Sequence, residues 1–165
     1  MSSRMPVLQK LKKMAQAFFY YSIWYPRQWV YLHRWRAHAK LSGKLKRHIR
    51  FVEKESHRLA REIFHAMARY QQGLEKRQQI LFRFVNIGTD LFAMAAACSR
   101  AAFLLNQNHS DRGPEELADL FCREATLRVK REFHNQREND DRMIYKIGRN
   151  MLDGNYKWLE DGIVT

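Results

Sequence analysis

One Glu-x-x-His pair, Glu62 with His65, has the spacing at which helical bundles bind iron between carboxylates. A di-iron site of that kind also needs a second Glu-x-x-His pair and two further glutamates that face inward. Residues 53–55 and 132–134 contain glutamates, but neither stretch supplies this pattern. We therefore interpret the pair as part of an ordinary polar helix face, and the sequence predicts no metal site.

The two cysteines, Cys98 and Cys122, are the next candidates for reactive side chains. Cys98 lies in a strongly apolar stretch, where burial disfavours the reactive thiolate. We interpret both cysteines as small core residues. Two cysteines without a paired C-x-x-C exclude a disulfide scaffold or a zinc ribbon and fit a reducing compartment.

Motifs of other enzyme classes are missing from the sequence. It contains no G-x-G-x-x-G, no G-x-x-x-x-G-K-[ST], no G-x-S-x-G and no H-E-x-x-H. His109, Ser110 and Asp111 are consecutive, so they cannot adopt the geometry of a catalytic triad and are interpreted as a turn. The residues alone therefore assign no catalytic, cofactor-binding or metal-binding role.

The positive charge of the chain is concentrated at its beginning. The 165 residues carry a net charge of +13, and residues 1–50 contain twelve lysines and arginines but no acid. The other 18 basic residues are balanced by 17 acidic ones. A basic excess of this size indicates an anionic partner, which we expect the first third of the chain to bind.

The same segment is rich in aromatic rings. Nine of the 21 aromatic residues lie between positions 18 and 35. The apolar run there is shorter than the roughly 20 residues of a membrane span, and it lacks the cleavage site of a secretory signal. We therefore predict that residues 1–43 form a helical arm that docks on an anionic membrane or on a partner. Its docking residues are expected to be Phe18, Phe19, Tyr21, Trp24, Trp29, Trp35, Lys12, Lys13, Arg27, Arg34 and Arg36.

The apolar spacing of the rest is helical and predicts an all-α fold, an up-down bundle of about four helices over residues 44–165. With the two helices of the arm, helices are predicted over residues 7–25, 27–42, 44–72, 75–107, 114–138 and 140–152. The fourth of these is apolar on every side between Leu91 and Cys98 and should be the central buried helix. In the third, Ser56 is expected to continue the inward stripe, Glu55 to face outward, and Gly73 to end or interrupt the helix.

Two stretches look familiar, RFVNIGTDLFAMAAACSRAAFLL and ADLFCREATLRVKREF. They resemble the C-terminal extra helical domain of very-long-chain-type acyl-CoA dehydrogenases. The preceding helix and the tail RMIYKIGRNMLDGNYKWLEDGIV are similar to those of bacterial members. The resemblance extends from about Lys44 to Val164.

The resemblance implies a function that this chain cannot perform alone. Enzymes of that family bind FAD, remove the α-proton of a fatty acyl-CoA with a glutamate and transfer hydride from the β-carbon to the flavin. Their base and flavin pocket lie in an N-terminal module, so no residue here is assigned a catalytic role. The resemblance implies a detached or truncated domain, or a separate subunit, that packs against a catalytic module and stabilises a dimer.

The family also uses a basic, apolar segment near this domain for attachment to the inner membrane. The arm matches that segment in position and character only, so we expect a cytoplasmic protein that is peripheral at the inner face of the membrane. Two alternatives stay open. A basic helical protein with interleaved rings could bind nucleic acid, and a complete small enzyme is disfavoured because no catalytic constellation is visible.

Overall fold

The structure is a computed structural model that describes residues 19–26, 28, 41–159 and 161–162. Its described residues are helical and include no strand, which confirms the all-α prediction. After a helical segment at residues 19–26, four α-helices follow: α1, Gly43–Tyr70; α2, Gln78–Gln107; α3, Gly113–Asn135; and α4, Asp141–Leu152. A 3-10 helix, Gln71–Lys76, joins α1 to α2, and a 3-10 turn, Lys157–Leu159, follows α4.

Helices α1, α2 and α3 form an up-down-up bundle. Where Cys98 of α2 meets Cys122 of α3, the side chains are short, and the two sulfurs lie 3.7 Å apart. Short side chains of this kind allow two helices to approach closely. The predicted inward stripes of α2 and α3 are confirmed, because the following residues are buried: Phe84, Ile87, Leu91, Met94, Cys98, Ala101, Leu105, Ala118, Cys122, Ala125, Val129 and Phe133.

The inward side of α1 differs from the prediction. Glu55 is buried, whereas Ser56 is exposed. The inward positions alternate at three and four residues and include the polar His48 and Glu55 beside Leu45. The Glu55 carboxylate is accompanied by Arg58 at 3.4 Å and by Lys54 at 3.8 Å. The spacing of the apolar residues alone does not indicate that His48 and Glu55 lie in the inward register.

The joint between α1 and α2 also differs in detail. Gly73 was predicted to end or interrupt the helix; α1 ends three residues earlier, at Tyr70, and Gly73 lies inside the 3-10 helix that follows. The chain turns at Gln71, which has φ 46° and ψ −126°. This left-handed conformation favours glycine, and a side chain there is strained. The helix therefore breaks at a glutamine, a residue type that does not by itself predict a break.

Helix α4 lies at the end of the bundle rather than inside it. Its first residue, Asp141, is buried and accepts a hydrogen bond from Arg83 (Nη1 to Oδ2, 2.9 Å). The hydroxyl of Tyr145 accepts the backbone N–H of Gln79 at 3.2 Å. Beyond this anchor, the apolar side chains of α4 are exposed: Met143, Ile144, Ile147 and Met151. Trp158 and Leu159, which follow the helix, are exposed as well.

Most of the predicted arm lies outside the described residues. Of the helix predicted over residues 7–25, the structure describes a helical part at 19–26 that includes Pro26. Nearly all of the helix predicted over 27–42 lies outside the described residues, and residues 41 and 42 are not helical. Ser42 instead caps α1, because its side chain accepts the N–H of Leu45 at 3.4 Å.

Candidate functional site

The described part of the arm packs against α1 through aromatic rings. Phe64 lies beside Tyr21, Trp24 and Tyr25, with ring centroids 5.2, 5.9 and 5.2 Å away. The hydroxyl of Tyr25 is also 2.7 Å from Nε2 of His65. Stacked and tilted aromatic pairs add to the stabilisation that burial alone provides. We call these four rings the ring cluster.

Some of the predicted docking residues are packed in the ring cluster, and another is exposed. Tyr21 and Trp24 are half-buried in the cluster, whereas Phe19 is exposed. Tyr20 and Ile23, which are not among the predicted docking residues, are also exposed. The remaining predicted docking residues lie outside the described residues: Phe18, Trp29, Trp35, Lys12, Lys13, Arg27, Arg34 and Arg36.

The candidate iron-binding pair takes up other partners. Glu62 lies 3.7 Å from the guanidinium of Arg137, and His65 contacts Tyr25 in the ring cluster. In the part of the chain that the structure describes, no three histidine, cysteine or acidic side chains converge on a point where an ion could sit.

The two cysteines are brought together in the core, a contact that the sequence did not reveal because they lie 24 positions apart. A hydrogen bond with Cys98 and burial raise the pKa of the Cys122 thiol. The Cys122 sulfur also lies 3.9 Å from the carbonyl oxygen of Met94. A protonated, enclosed thiol is a poor nucleophile, so this pair serves packing between α2 and α3.

A polar cluster in the seam between α1 and α3 is the best-formed titratable site among the described residues. Nε2 of His48 donates to Oδ1 of Asp119 at 2.7 Å, and Arg123 donates to the other carboxylate oxygen at 2.8 Å. The hydrogen bond from His48 lowers the pKa of the Asp119 carboxyl, followed by the effect of Arg123, although burial opposes both. We call His48, Asp119 and Arg123 the seam cluster.

The seam cluster borders a surface groove of about 370 Å³ that is also lined by Arg47, Phe51, Thr126 and Leu127. A His–Asp pair can activate a hydroxyl nucleophile that lies within hydrogen-bond reach. The hydroxyl of Thr126, however, is held by the carbonyl oxygen of Cys122 at 2.7 Å. We therefore interpret the seam cluster as a structural contact that links α1 to α3 through the hydrogen bond between His48 and Asp119.

Helix α2 is apolar on two opposite sides, and only one side is buried. The other side exposes a row of large side chains at helical spacing, Phe82, Val85, Phe92 and Phe103, which we call the outer row. Phe92 is 76% exposed, whereas Met94, two residues later, is fully buried. A row of aromatic side chains in water marks a surface that binds another molecule.

By length and mean hydropathy, α2 is the one helix among the described residues that could cross a membrane. Its inner side packs against α1 and α3 around the core described above. Its Asp90 forms a bidentate ion pair with Arg128 of α3, with distances of 2.7–3.1 Å. These features are typical of the central helix of a bundle.

Comparison with known proteins supports the resemblance drawn from the sequence. A family model for the ACAD9/ACADV C-terminal domain matches residues 43–155. The curated relatives include the probable acyl-CoA dehydrogenases FadE10 of Mycobacterium bovis and of Mycobacterium tuberculosis, each 40% identical over 160 residues. The match covers 94% of this chain and 24% of each relative, so the chain spans about a quarter of their length. No solved structure matches the chain.

Proposed function

The chain belongs to the ACAD9/ACADV C-terminal domain family, and we propose that it is the non-catalytic docking domain of an FAD-dependent acyl-CoA dehydrogenase of fatty-acid β-oxidation. The observation that carries this proposal is the outer row of α2. Its side chains do not contribute to the core of the bundle, because they lie on the opposite side of the helix. They therefore suit a surface that another protein module covers.

The relatives identify the module that we expect on the outer row. About three quarters of each FadE10 relative lies outside the matched region, which is 24% of its length. Burying a phenylalanine or valine side chain contributes about 1.5–3 kcal/mol, so covering four of them stabilises a complex strongly. We infer that the occupant is the catalytic module of the dehydrogenase, and that this contact also supports a dimer of the complete enzyme.

The described residues of this chain do not fit FAD. The isoalloxazine ring of a flavin needs a deep apolar cavity beside donors for the pyrophosphate. Two grooves that the described residues form, of about 800 Å³ and 370 Å³, are open at the surface, and the larger is lined mainly by cations. Flavin and the base that removes the α-proton are therefore assigned to the catalytic module, and no catalytic step is derived from this chain.

Co-purification with the catalytic module tests the proposal. The full chain carries an affinity tag and is co-expressed with the remaining part of a FadE10-type dehydrogenase. The matched variants are Phe92→Glu, in the outer row, and Lys130→Glu, on the exposed side of α3. We expect the wild-type chain and Lys130→Glu to retain the catalytic module, detected by its flavin absorbance, and Phe92→Glu to lose it. Equal retention by both variants, or no retention by the wild type, would contradict the proposal.

A second part of the proposal concerns the arm. The exposed side of residues 19–26 carries Phe19, Tyr20 and Ile23, and the first 50 residues carry twelve basic side chains without an acid. Aromatic rings favour the membrane interface, and each basic residue near an anionic surface contributes about 1 kcal/mol. We infer that the arm attaches the protein to the inner face of an anionic membrane from the cytoplasm.

Vesicle flotation of the full chain tests this attachment. We expect binding to vesicles that contain phosphatidylglycerol, weakening with salt, and no binding to neutral vesicles. The double variant Phe19→Ser with Ile23→Ser should bind less, whereas Trp24→Ala should act mainly on stability because Trp24 packs against Phe64. A chain that ignores anionic vesicles but shifts single-stranded nucleic acid at the same salt would favour the nucleic-acid alternative.

A further inference from the structure

A cationic groove lies at the end of the bundle, and neither the family nor the docking proposal assigns it a role. It has a volume of about 800 Å³ and lies between the end of α1, the 3-10 helix that follows, and α4. Six basic side chains line it, against the single carboxylate of Asp153: Arg69, Lys76, Arg77, Arg142, Lys146 and Arg149. We call it the basic groove.

The two walls of the basic groove are held in place. On one wall, the guanidinium of Arg77 lies 4.3 Å from the centroid of the Tyr70 ring, and that of Arg69 lies 5.6 Å from it. The other wall is α4, which is anchored at its first residue by the buried ion pair between Asp141 and Arg83. Arg142, Lys146 and Arg149 follow at steps of four and three residues, so they share one side of α4.

The charges of this groove are not neutralised by the protein. In the described part of the chain, none of the six basic side chains forms an ion pair within 4 Å, whereas Arg83, Arg123 and Arg128 each do. Like charges gathered around one cavity repel each other, and a multivalent anion relieves that repulsion. Arginine forks match the oxygens of phosphate groups in pairs.

We propose that the basic groove binds a ligand that carries at least two phosphate groups. The volume lies in the range of small-molecule sites, roughly 300–1,000 Å³, and the rings of Tyr70 and Tyr145 add flat surfaces beside the cations. The phosphates could belong to a soluble nucleotide or to phospholipid headgroups. The exposed apolar face of α4, with Met143, Ile144 and Ile147, lies on the other side of this helix from its basic residues, which favours a soluble ligand.

Titration calorimetry with the full chain tests the proposal, with pyrophosphate and ATP as probes. The groove variant is Arg142→Gln with Lys146→Gln. The control, Lys130→Gln with Arg131→Gln, removes one arginine and one lysine from exposed positions of α3. We expect the groove variant to bind pyrophosphate at least about tenfold more weakly, the loss of a charge-assisted contact, and the control to bind as the wild type does. Circular dichroism verifies that both variants keep their helices.

A second arm of the experiment distinguishes the source of the phosphates. Vesicles with phosphatidylglycerol are floated with the wild type and the groove variant. Vesicle binding that the groove variant loses, in the absence of pyrophosphate binding, would retain the phosphate chemistry and assign it to lipid. Absence of any binding that depends on the groove, an equal loss in the control, or binding of single-stranded nucleic acid alone would overturn the proposal.

Discussion

The seam cluster and the basic groove are both built from charged side chains, but only the seam cluster is neutralised by its own residues. In the seam, Asp119 lies between His48 and Arg123 and is buried. In the groove, cations from the joint between α1 and α2 and from α4 face each other around open space. Because a buried charge must be paired for the fold to be stable, the seam is explained by folding. Folding does not account for the unpaired charges of the basic groove, which is why the groove indicates a ligand.

Helix α2 shows the same contrast with apolar side chains. Leu91 and Met94 are buried against the neighbouring helices, and Phe92 between them is exposed on the outer row. The inner side stabilises this chain on its own. The outer side, by the proposal above, stabilises a complex.

The largest effect is expected on the inner side of α2. Met94→Ala should lower the free energy of unfolding by about 2–5 kcal/mol through lost burial and a cavity, and Leu91→Ala similarly. Phe92→Ala should change it by less than about 1 kcal/mol, because an exposed side chain loses little on truncation. Urea unfolding of the three variants measures the difference. Equal losses at Met94 and Phe92 would show that the two sides of α2 are not distinct.

The helices and the apolar core could be predicted from the sequence because their periodicity is local. The inward stripe of α3 follows from the spacing of Ala118, Cys122, Ala125 and Val129 within a single helix. The seam cluster could not be found in this way, because His48 and Asp119 lie 71 positions apart. A signal existed, since His48 follows Leu45 by three residues on the inward side of α1.

The positions of the exposed apolar faces were not predicted either. The run from Leu91 to Cys98 was interpreted as fully buried because it is apolar on every side, but only its inner side meets another helix. An all-round apolar helix needs neighbours on every side. The sequence alone does not say whether those neighbours belong to the same chain.

A smaller effect is expected in the seam cluster. Asp119→Asn should lower the free energy of unfolding at neutral pH by about 1–3 kcal/mol, because it weakens the hydrogen bonds that the Asp119 carboxylate accepts from His48 and Arg123. Since the pKa of Asp119 is lowered in the folded state, its contribution is present above the unfolded pKa, about 3.9. It is lost as the pH falls through the folded value.

Unfolding at a series of pH values measures this contribution. The wild type should lose more stability than Asp119→Asn between about pH 5 and pH 2. Asp140→Asn serves as the control, since Asp140 is exposed and its side chain makes no capping bond to α4. Parallel pH profiles for the wild type and Asp119→Asn would contradict the role given to the seam cluster.

A stabilising effect is expected from Gly88→Ala in α2. The added methyl group would meet only Cδ2 of Leu59, at 3.8 Å, which is an ordinary contact. A glycine inside a helix often permits close approach of a neighbouring helix, but this distance leaves room for a methyl group at Gly88. Alanine in a helix interior is favoured over glycine by about 0.5–1 kcal/mol, so the midpoint of urea unfolding should rise. A decrease would mean that α1 and α2 lie closer than this distance indicates.

The smallest effect is expected at the joint between α1 and α2, on the wall of the basic groove. Gln71 has φ 46°, the one positive φ among non-glycine residues that the structure describes. Gln71→Gly removes the strain but makes the unfolded chain more flexible, so we expect a net gain of about 0.5 kcal/mol in the free energy of unfolding. Gln72→Gly is the matched control. Gln72→Gly should lower the free energy of unfolding by about 0.5 kcal/mol, because Gln72 has no strained φ that glycine could relieve. If both glycines destabilise equally, the turn at Gln71 is not strained. If Gln71→Gly stabilises the fold and leaves pyrophosphate binding unchanged, the geometry of the joint, rather than the glutamine side chain, is what places Arg69 opposite α4.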